Sequence, residues 1–143
     1  MKPHRKTFTV YPSDCNYMKV ADGSPMVHGG SMLMQMDRAA AEFARKCLYD
    51  SECDSALTVG VTDVTFFSGA KLGDLINIDV TPLEFGNKRM EFLVQCHLEQ
   101  WGGKEVLVAE GKFTFCSFKN GKSHPHGLGS KKASPERRPV ADI

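Results

Sequence analysis

The stretch His28-Gly29-Gly30-Ser31-Met32-Leu33-Met34-Gln35-Met36-Asp37-Arg38-Ala39-Ala40-Ala41-Glu42-Phe43-Ala44-Arg45-Lys46-Cys47-Leu48 decides the fold. With Leu33 at zero and about 100° per residue, Met36, Ala40, Phe43, Ala44, Cys47 and Leu48 share one arc. Met34, Gln35, Arg38, Glu42, Arg45 and Lys46 fill the opposite one. The period predicts an amphipathic helix with a wide apolar stripe. Asp37 projects inside that stripe, between Ala44 and Leu48. A carboxylate there costs several kcal/mol unless it is paired, hydrogen-bonded or protonated. Two readings follow: a structural acid bonded to a neighbouring loop or partner chain, or a functional acid. Gly29-Gly30 permits close packing of the helix start, and the exposed N–H groups there can meet an anion or a polarised carbonyl oxygen. Ser31, or a loop residue just before it, is the expected cap.

Around the helix the pattern is one of strands. Lys6 to Tyr11 alternates and predicts a short first strand, followed by a loop from Cys15 to Val27 with a turn at Asp22-Gly23-Ser24-Pro25. After a polar loop at 50–55, Ala56 to Phe118 reads as four strands joined by short turns at 69–74, 86–88 and 102–104. Val64 and Phe66 continue the apolar alternation of Leu57, Val59 and Val61 on the other parity, which predicts a β-bulge near Thr62-Asp63. Pro82 predicts a second irregularity. One long helix against an antiparallel meander is an α+β layer fold.

At 143 residues and 41% apolar content the chain fits one domain with a real core. We expect a domain over 1–119 and a basic tail rich in Gly, Pro and Ser over 120–143. Residues 1–119 carry 13 Lys/Arg against 15 Asp/Glu, the tail 5 against 2. A net charge of +1 gives no global reason to expect a nucleic-acid partner, and no aromatic residue interleaves the tail's charges. No signal peptide or membrane span is expected. Five cysteines, with no Cys-x-x-Cys and no zinc spacing, predict free thiols, a cytoplasmic setting and no metal site. No His/Cys arrangement supports Cys15 as a nucleophile, and Asp14 reads mainly as a turn residue.

Asn16, His28-Gly29-Gly30, Asp37 nine positions after His28, the run Val64 to Asp74 and the run Ala109 to Phe115 together resemble hotdog-fold acyl-CoA thioesterases. The group most similar is that of phenylacetyl-CoA and medium-to-long-chain acyl-CoA thioesterases. The resemblance covers roughly residues 8–119. It implies a long central helix wrapped by a bent antiparallel sheet of five to six strands. Asp37 would act as general base or nucleophile at a thioester carbonyl, Gly29 or Gly30 as backbone oxyanion donor, and Asn16 would orient water or the carbonyl. His28 would assist through a hydrogen bond. Some relatives carry a Ser on the first central strand; here Thr58 is the candidate. The segment from Asn16 to Gly29 is about six residues longer than the family pattern.

Coenzyme A would be part of the substrate, with no further cofactor required, and its phosphates need cations. Gly86-Asn87-Lys88-Arg89 and Lys119 are the candidates. The resemblance also implies a homo-oligomer, a dimer or dimer of dimers with sites at the interface. The alternatives are a hotdog protein that binds acyl-CoA or another small ligand without turnover, and a hotdog dehydratase or hydratase.

Overall fold

The computed structural model describes residues 3–129 and 139–140. Chain order is β1 (His4–Thr9), a 3-10 turn (Pro12–Asp14), β2 (Cys15–Lys19), β3 (Pro25–Val27) and α1 (Gly29–Cys47). Then come β4 (Ser55–Phe66), β5 (Leu75–Phe85), β6 (Arg89–Glu99), β7 (Glu105–Lys119) and β8 (Lys122–Ser123). The main sheet is antiparallel in the order β1-β5-β6-β7-β4, with β8 added to β7. The two edges, β1 and β4, are the long-sheet strands that flank α1 in sequence. The helix lies along β4 on one face of the sheet, with Phe66 over Gly29 and Ser55 and Ala56 beside Arg45 and Leu48, and buries its stripe there. This is the hotdog architecture the resemblance implied.

The core forms where the stripe meets the sheet. Met32, Met36, Ala39, Ala40, Phe43, Ala44 and Cys47 of α1 are buried against Ile76, Ile78, Val80, Phe92, Val94, Phe113 and Phe115. Phe43 meets Phe92 edge-on at 5.3 Å, a favourable ring geometry. Alternation along β6 places Met90, Phe92, Val94 and Cys96 in this layer, all fully buried.

The outer face of the sheet is polar and internally paired. Arg5 grips Asp79 with two bonds of 2.6 and 2.8 Å and reaches Glu105 at 3.0 Å. His97, 1% exposed, places Nδ1 3.2 Å from Asp79 Oδ2. Burial pushes the Asp79 carboxyl up, but Arg5 and His97 outweigh it and hold the group well below the usual carboxylate range.

Three local expectations change. The first strand is displaced towards the N-terminus, because Pro12 opens a helical turn and takes Tyr11 out of the ladder. The loop expected over Cys15–Val27 contains the β2–β3 hairpin, pairing Cys15 with Val27 and Lys19 with Pro25. The helix cap is His28, whose Nδ1 accepts a bond from the Gly30 N–H. Both irregularities are present: the register shifts between Thr62 and Thr65 and again between Pro82 and Glu84. Asp63 takes φ 53° in the first, a conformation that Asp tolerates better than most side chains. Beyond residue 119, Lys122–Ser123 pairs back onto β7 and the His126 ring is buried against Phe85. Part of the segment expected as a tail thus packs on the sheet. Lys131-Lys132 and Arg137-Arg138 lie outside the described residues.

Candidate functional site

The start of α1 is built on Asp14. Its Oδ1 accepts from Ser31 Oγ at 2.6 Å, its Oδ2 from the Tyr11 N–H at 2.9 Å, and its carbonyl from the His28 N–H at 2.6 Å. The residue read as a turn Asp therefore locks three segments together while only 8% exposed. Close by, burial pushes the Cys15 thiol above its ordinary value and the Asp14 charge adds to the effect, the opposite of what a nucleophilic thiolate needs.

His28 folds its ring back over the first helical turn. Nδ1 lies 2.9 Å from the Gly30 nitrogen, so that ring nitrogen is the acceptor and the Gly30 N–H is occupied. A Cβ on Gly30 would lie 2.8 Å from His28 Cε1; the glycine is what makes room for the ring. The Gly29 N–H, by contrast, makes no hydrogen bond among the described residues. Phe66, the last residue of β4, lies over it: a Cβ at Gly29 would be 3.8 Å from the ring. Asn16, half-buried at the base of β2, turns its Oδ1 to the Met18 N–H at 2.8 Å.

Asp37 is half-buried. Thr58 Oγ1 donates to its Oδ1 at 2.6 Å, across from β4 to α1. Thr58 pairs with Phe115, whose ring is in the core, so Thr58 faces the helix. Register shifts in β4 also turn Val61, opposite buried Phe113, and Phe66, opposite buried Ala109, to that face. Asp37 thus looks into a cleft between α1 and an edge strand, with one wall missing. A cavity of about 500 Å³ continues the cleft towards the end of the helix, lined by Ala41, Arg45, Leu48, Tyr49, Cys53 and Ala56 among others.

Two distances separate the candidates. Eight residues at about 1.5 Å each place Asp37 about 12 Å beyond Gly29 along the helix axis. One carbonyl cannot touch both in a single chain. Gly86, Asn87, Lys88, Arg89 and Lys119 gather where the helix finishes: the Asn87 carbonyl accepts from His126 N–H, and the Phe118 carbonyl accepts from Asp54 N–H. A 19-residue helix is about 28 Å long, so the cationic hairpin and the helix start lie at opposite ends of one protomer. A roomier cavity, about 700 Å³, lies at the end of the sheet beside Trp101, Lys71 and Leu98 and includes none of the candidate residues.

The thioesterase superfamily model matches residues 25–102, more than half of the chain. No curated protein matches. Among solved structures, an asparagine-to-alanine mutant of an acyl-CoA hydrolase from Staphylococcus aureus, in complex with coenzyme A, is 21% identical. It covers 94% of this chain and 74% of its own, with a TM-score of 0.76. The same hydrolase has been solved as an aspartate-to-alanine and a threonine-to-alanine mutant. A hexameric thioesterase from Yersinia pestis, 21% identical, covers 84% of this chain and 91% of its own with a TM-score of 0.71. An aspartate-to-alanine mutant of a hexameric broad-specificity acyl-coenzyme A thioesterase is 23% identical. It covers 84% and 83% at a TM-score of 0.71. At these identities the likeness establishes the hotdog fold.

Proposed function

Because this chain belongs to the thioesterase superfamily, we propose that it hydrolyses acyl-CoA thioesters with Asp37 as the base. The observation that carries the reading is the half-buried Asp37 carboxylate, held by Thr58 at 2.6 Å on the open side of the helix. Asp37 takes a proton from water as the water oxygen bonds to the thioester carbonyl carbon. The negative charge moves to the carbonyl oxygen, where the open Gly29 N–H at a helix start stabilises it. The C–S bond then breaks, and coenzyme A leaves as a thiolate that takes up a proton. Thr58 is a positioning residue: its hydroxyl fixes one carboxylate oxygen and leaves the other for water. His28 keeps the first helical turn in shape.

The separation of about 12 Å between Gly29 and Asp37 calls for two chains. Among the described residues both sheet edges are open, and they differ. β1 has 6 residues and carries Arg5 and Lys6, features that discourage edge pairing. β4 has 12 residues, and Leu57, Val59, Val61 and Phe66 are 57%, 49%, 43% and 42% exposed along it. Antiparallel pairing of two β4 strands about a two-fold axis covers that strip and brings one chain's helix start towards Asp37 of the other. The protein is a homo-oligomer with this dimer as its unit, and larger assemblies of such dimers, as in the hexameric relatives, fit the same reading. Asn16 of one chain then serves the site that contains Asp37 of the other. The cationic hairpin with Lys88, Arg89 and Lys119, remote within one chain, is brought by the same operation towards the partner's helix start, where CoA phosphates can meet it. Five cysteines without a disulfide bond fit a reducing, cytoplasmic compartment. No helix among the described residues is long and apolar enough to cross a membrane.

Thiol release from a panel of acyl-CoAs tests the function. Wild type releases thiol and Asp37→Ala does not. Equal background rates from both defeat the catalytic reading, and tight acyl-CoA binding without turnover makes the chain a binding protein.

A further inference from the structure

Two features of the chain are unfinished, and they lie at opposite ends. The β2–β3 hairpin holds up Tyr17, 90% exposed, and Met18, 51% exposed. It is not a loose arm. Its base is pinned by the Cys15–Val27 pair, by the Val27 N–H on the Ala70 carbonyl and by Asp14 on the helix start. A large aromatic ring on a fixed strand, covering no surface among the described residues, is dressed for a surface elsewhere. At the other end the cleft beside Asp37 opens into the cavity of about 500 Å³. Its apolar lining is Ala41, Leu48, Cys53 and Ala56, of which Leu48 and Cys53 are buried, and Tyr49 beside them is 65% exposed.

Strand direction connects the two. β4 begins at Ser55, beside this cavity, and ends at Phe66, over Gly29 at the hairpin end. An antiparallel two-fold pairing of β4 with its copy therefore sets the hairpin end of one chain beside the cavity end of the other. We infer that Tyr17 and Met18 of one copy close the cavity beside Asp37 of the other and form with Tyr49 the wall that limits acyl length. This rests on the pairing and the thioesterase reading given above. The added content is the assignment of acyl selectivity to a hairpin in trans. A wall of one Tyr and one Met from one chain and Ala41, Leu48 and Ala56 from the other leaves a slot with one apolar side, Arg45, Asp54 and Ser55 lining the rest. Such a slot takes an acyl chain by area burial and rejects longer ones by steric closure.

Placement and selectivity are tested separately. Tyr17→p-benzoylphenylalanine, irradiated in the full-length protein, is expected to give a species of doubled mass. Its joined peptides should link position 17 to residues 41–56 of the other copy. Cross-links only within one chain, or to another surface, overturn the placement. Tyr17→Ala changes an exposed residue and leaves the fold intact by circular dichroism. It is expected to raise the kcat/KM ratio of the longest to the shortest acyl-CoA in a chain-length panel by about tenfold, the order of a change in hydrophobic pocket fit. Tyr17→Trp should lower it. Ratios within twofold of wild type overturn the selectivity assignment even if the cross-link maps as expected. A wild type that hydrolyses no thioester in the panel defeats the proposed function, while the cross-link still decides where the hairpin sits.

Discussion

Thr58 Oγ1 and Asp37 Oδ1 meet at 2.6 Å across the seam between the edge strand and the central helix. The bond joins two layers and fixes a carboxylate on the open side of the helix. Removing the base should cost far more than loosening it. Asp37→Asn is expected to lower kcat on acyl-CoA by about 10²-fold or more, the usual worth of a positioned general base. Thr58→Val should lower kcat by about tenfold with KM little changed, since a misoriented base affects the transition state. Thr58→Ser should restore most of the rate. Steady-state kinetics on the three variants checks the order.

His28 and Gly30 form one device. His28→Ala removes a helix cap worth about 1 kcal/mol, and Gly30→Ala drives a Cβ to within 2.8 Å of the His28 ring. Each is expected to lower the melting temperature by about 4 °C. The double variant should fall by clearly less than the sum, because both changes remove the same contact. Thermal unfolding of the set decides it.

The Arg5–Asp79 pair predicts an acid-sensitive contribution to stability. Folding holds Asp79 below its ordinary value of 3.8. Its contribution is therefore fully present above that pH and is lost as the pH falls through the lower folded value. Arg5 is 37% exposed, which screens the pair. Asp79→Asn should cost roughly 1–2 kcal/mol at neutral pH. The gap from wild type should narrow as the pH drops below about 4. Urea denaturation at pH 7 and pH 3 measures it.

Val61 sits on the exposed strip of β4. Val61→Lys places a charge on an edge that the proposed dimer covers, a common device against edge pairing. Light scattering should then report a monomer, circular dichroism an unchanged fold, and the thioesterase assay a loss of activity of about 10²-fold or more, comparable to removal of the base.

Lys88 tests the CoA contact. Lys88→Glu should raise KM for acyl-CoA several-fold while leaving KM for the corresponding acyl-pantetheine unchanged, because only the former carries the nucleotide phosphates. Equal KM changes for both substrates place the phosphates elsewhere.

Much of the fold was readable because its signals are local. Helix α1 follows from the spacing of Met36, Ala40, Phe43 and Cys47, and β6 from strict alternation between Met90 and Leu98. The β4 bulge follows from the change of parity between Val61 and Val64. The β2–β3 hairpin was not readable: Tyr17, Met18 and Lys19 are exposed in their own chain and leave no alternation of buried residues. His28 is outside the usual set of caps, so its ring over Gly30 carries no clear sequence signature. Asp37 drew notice as a charge within an apolar stripe, whereas its bond to Thr58, 21 positions away, needed the sheet to bring the two together.

The irregularities of β4 give that strand a reading frame. Thr58, Val61 and Phe66 all face the helix although their spacings are three and five, because the register slips once before Gly60 and again before Thr65. Deleting Val59, the residue in excess at the first slip, would therefore heal that bulge and leave Gly60 opposite Thr114 and Val61 opposite Phe113. From Thr58 to Phe66, β4 sets nine residues against the seven from Ala109 to Phe115 of β7. The two in excess are what a shorter strand could lose without turning Thr58, Val61 or Phe66 away from the helix.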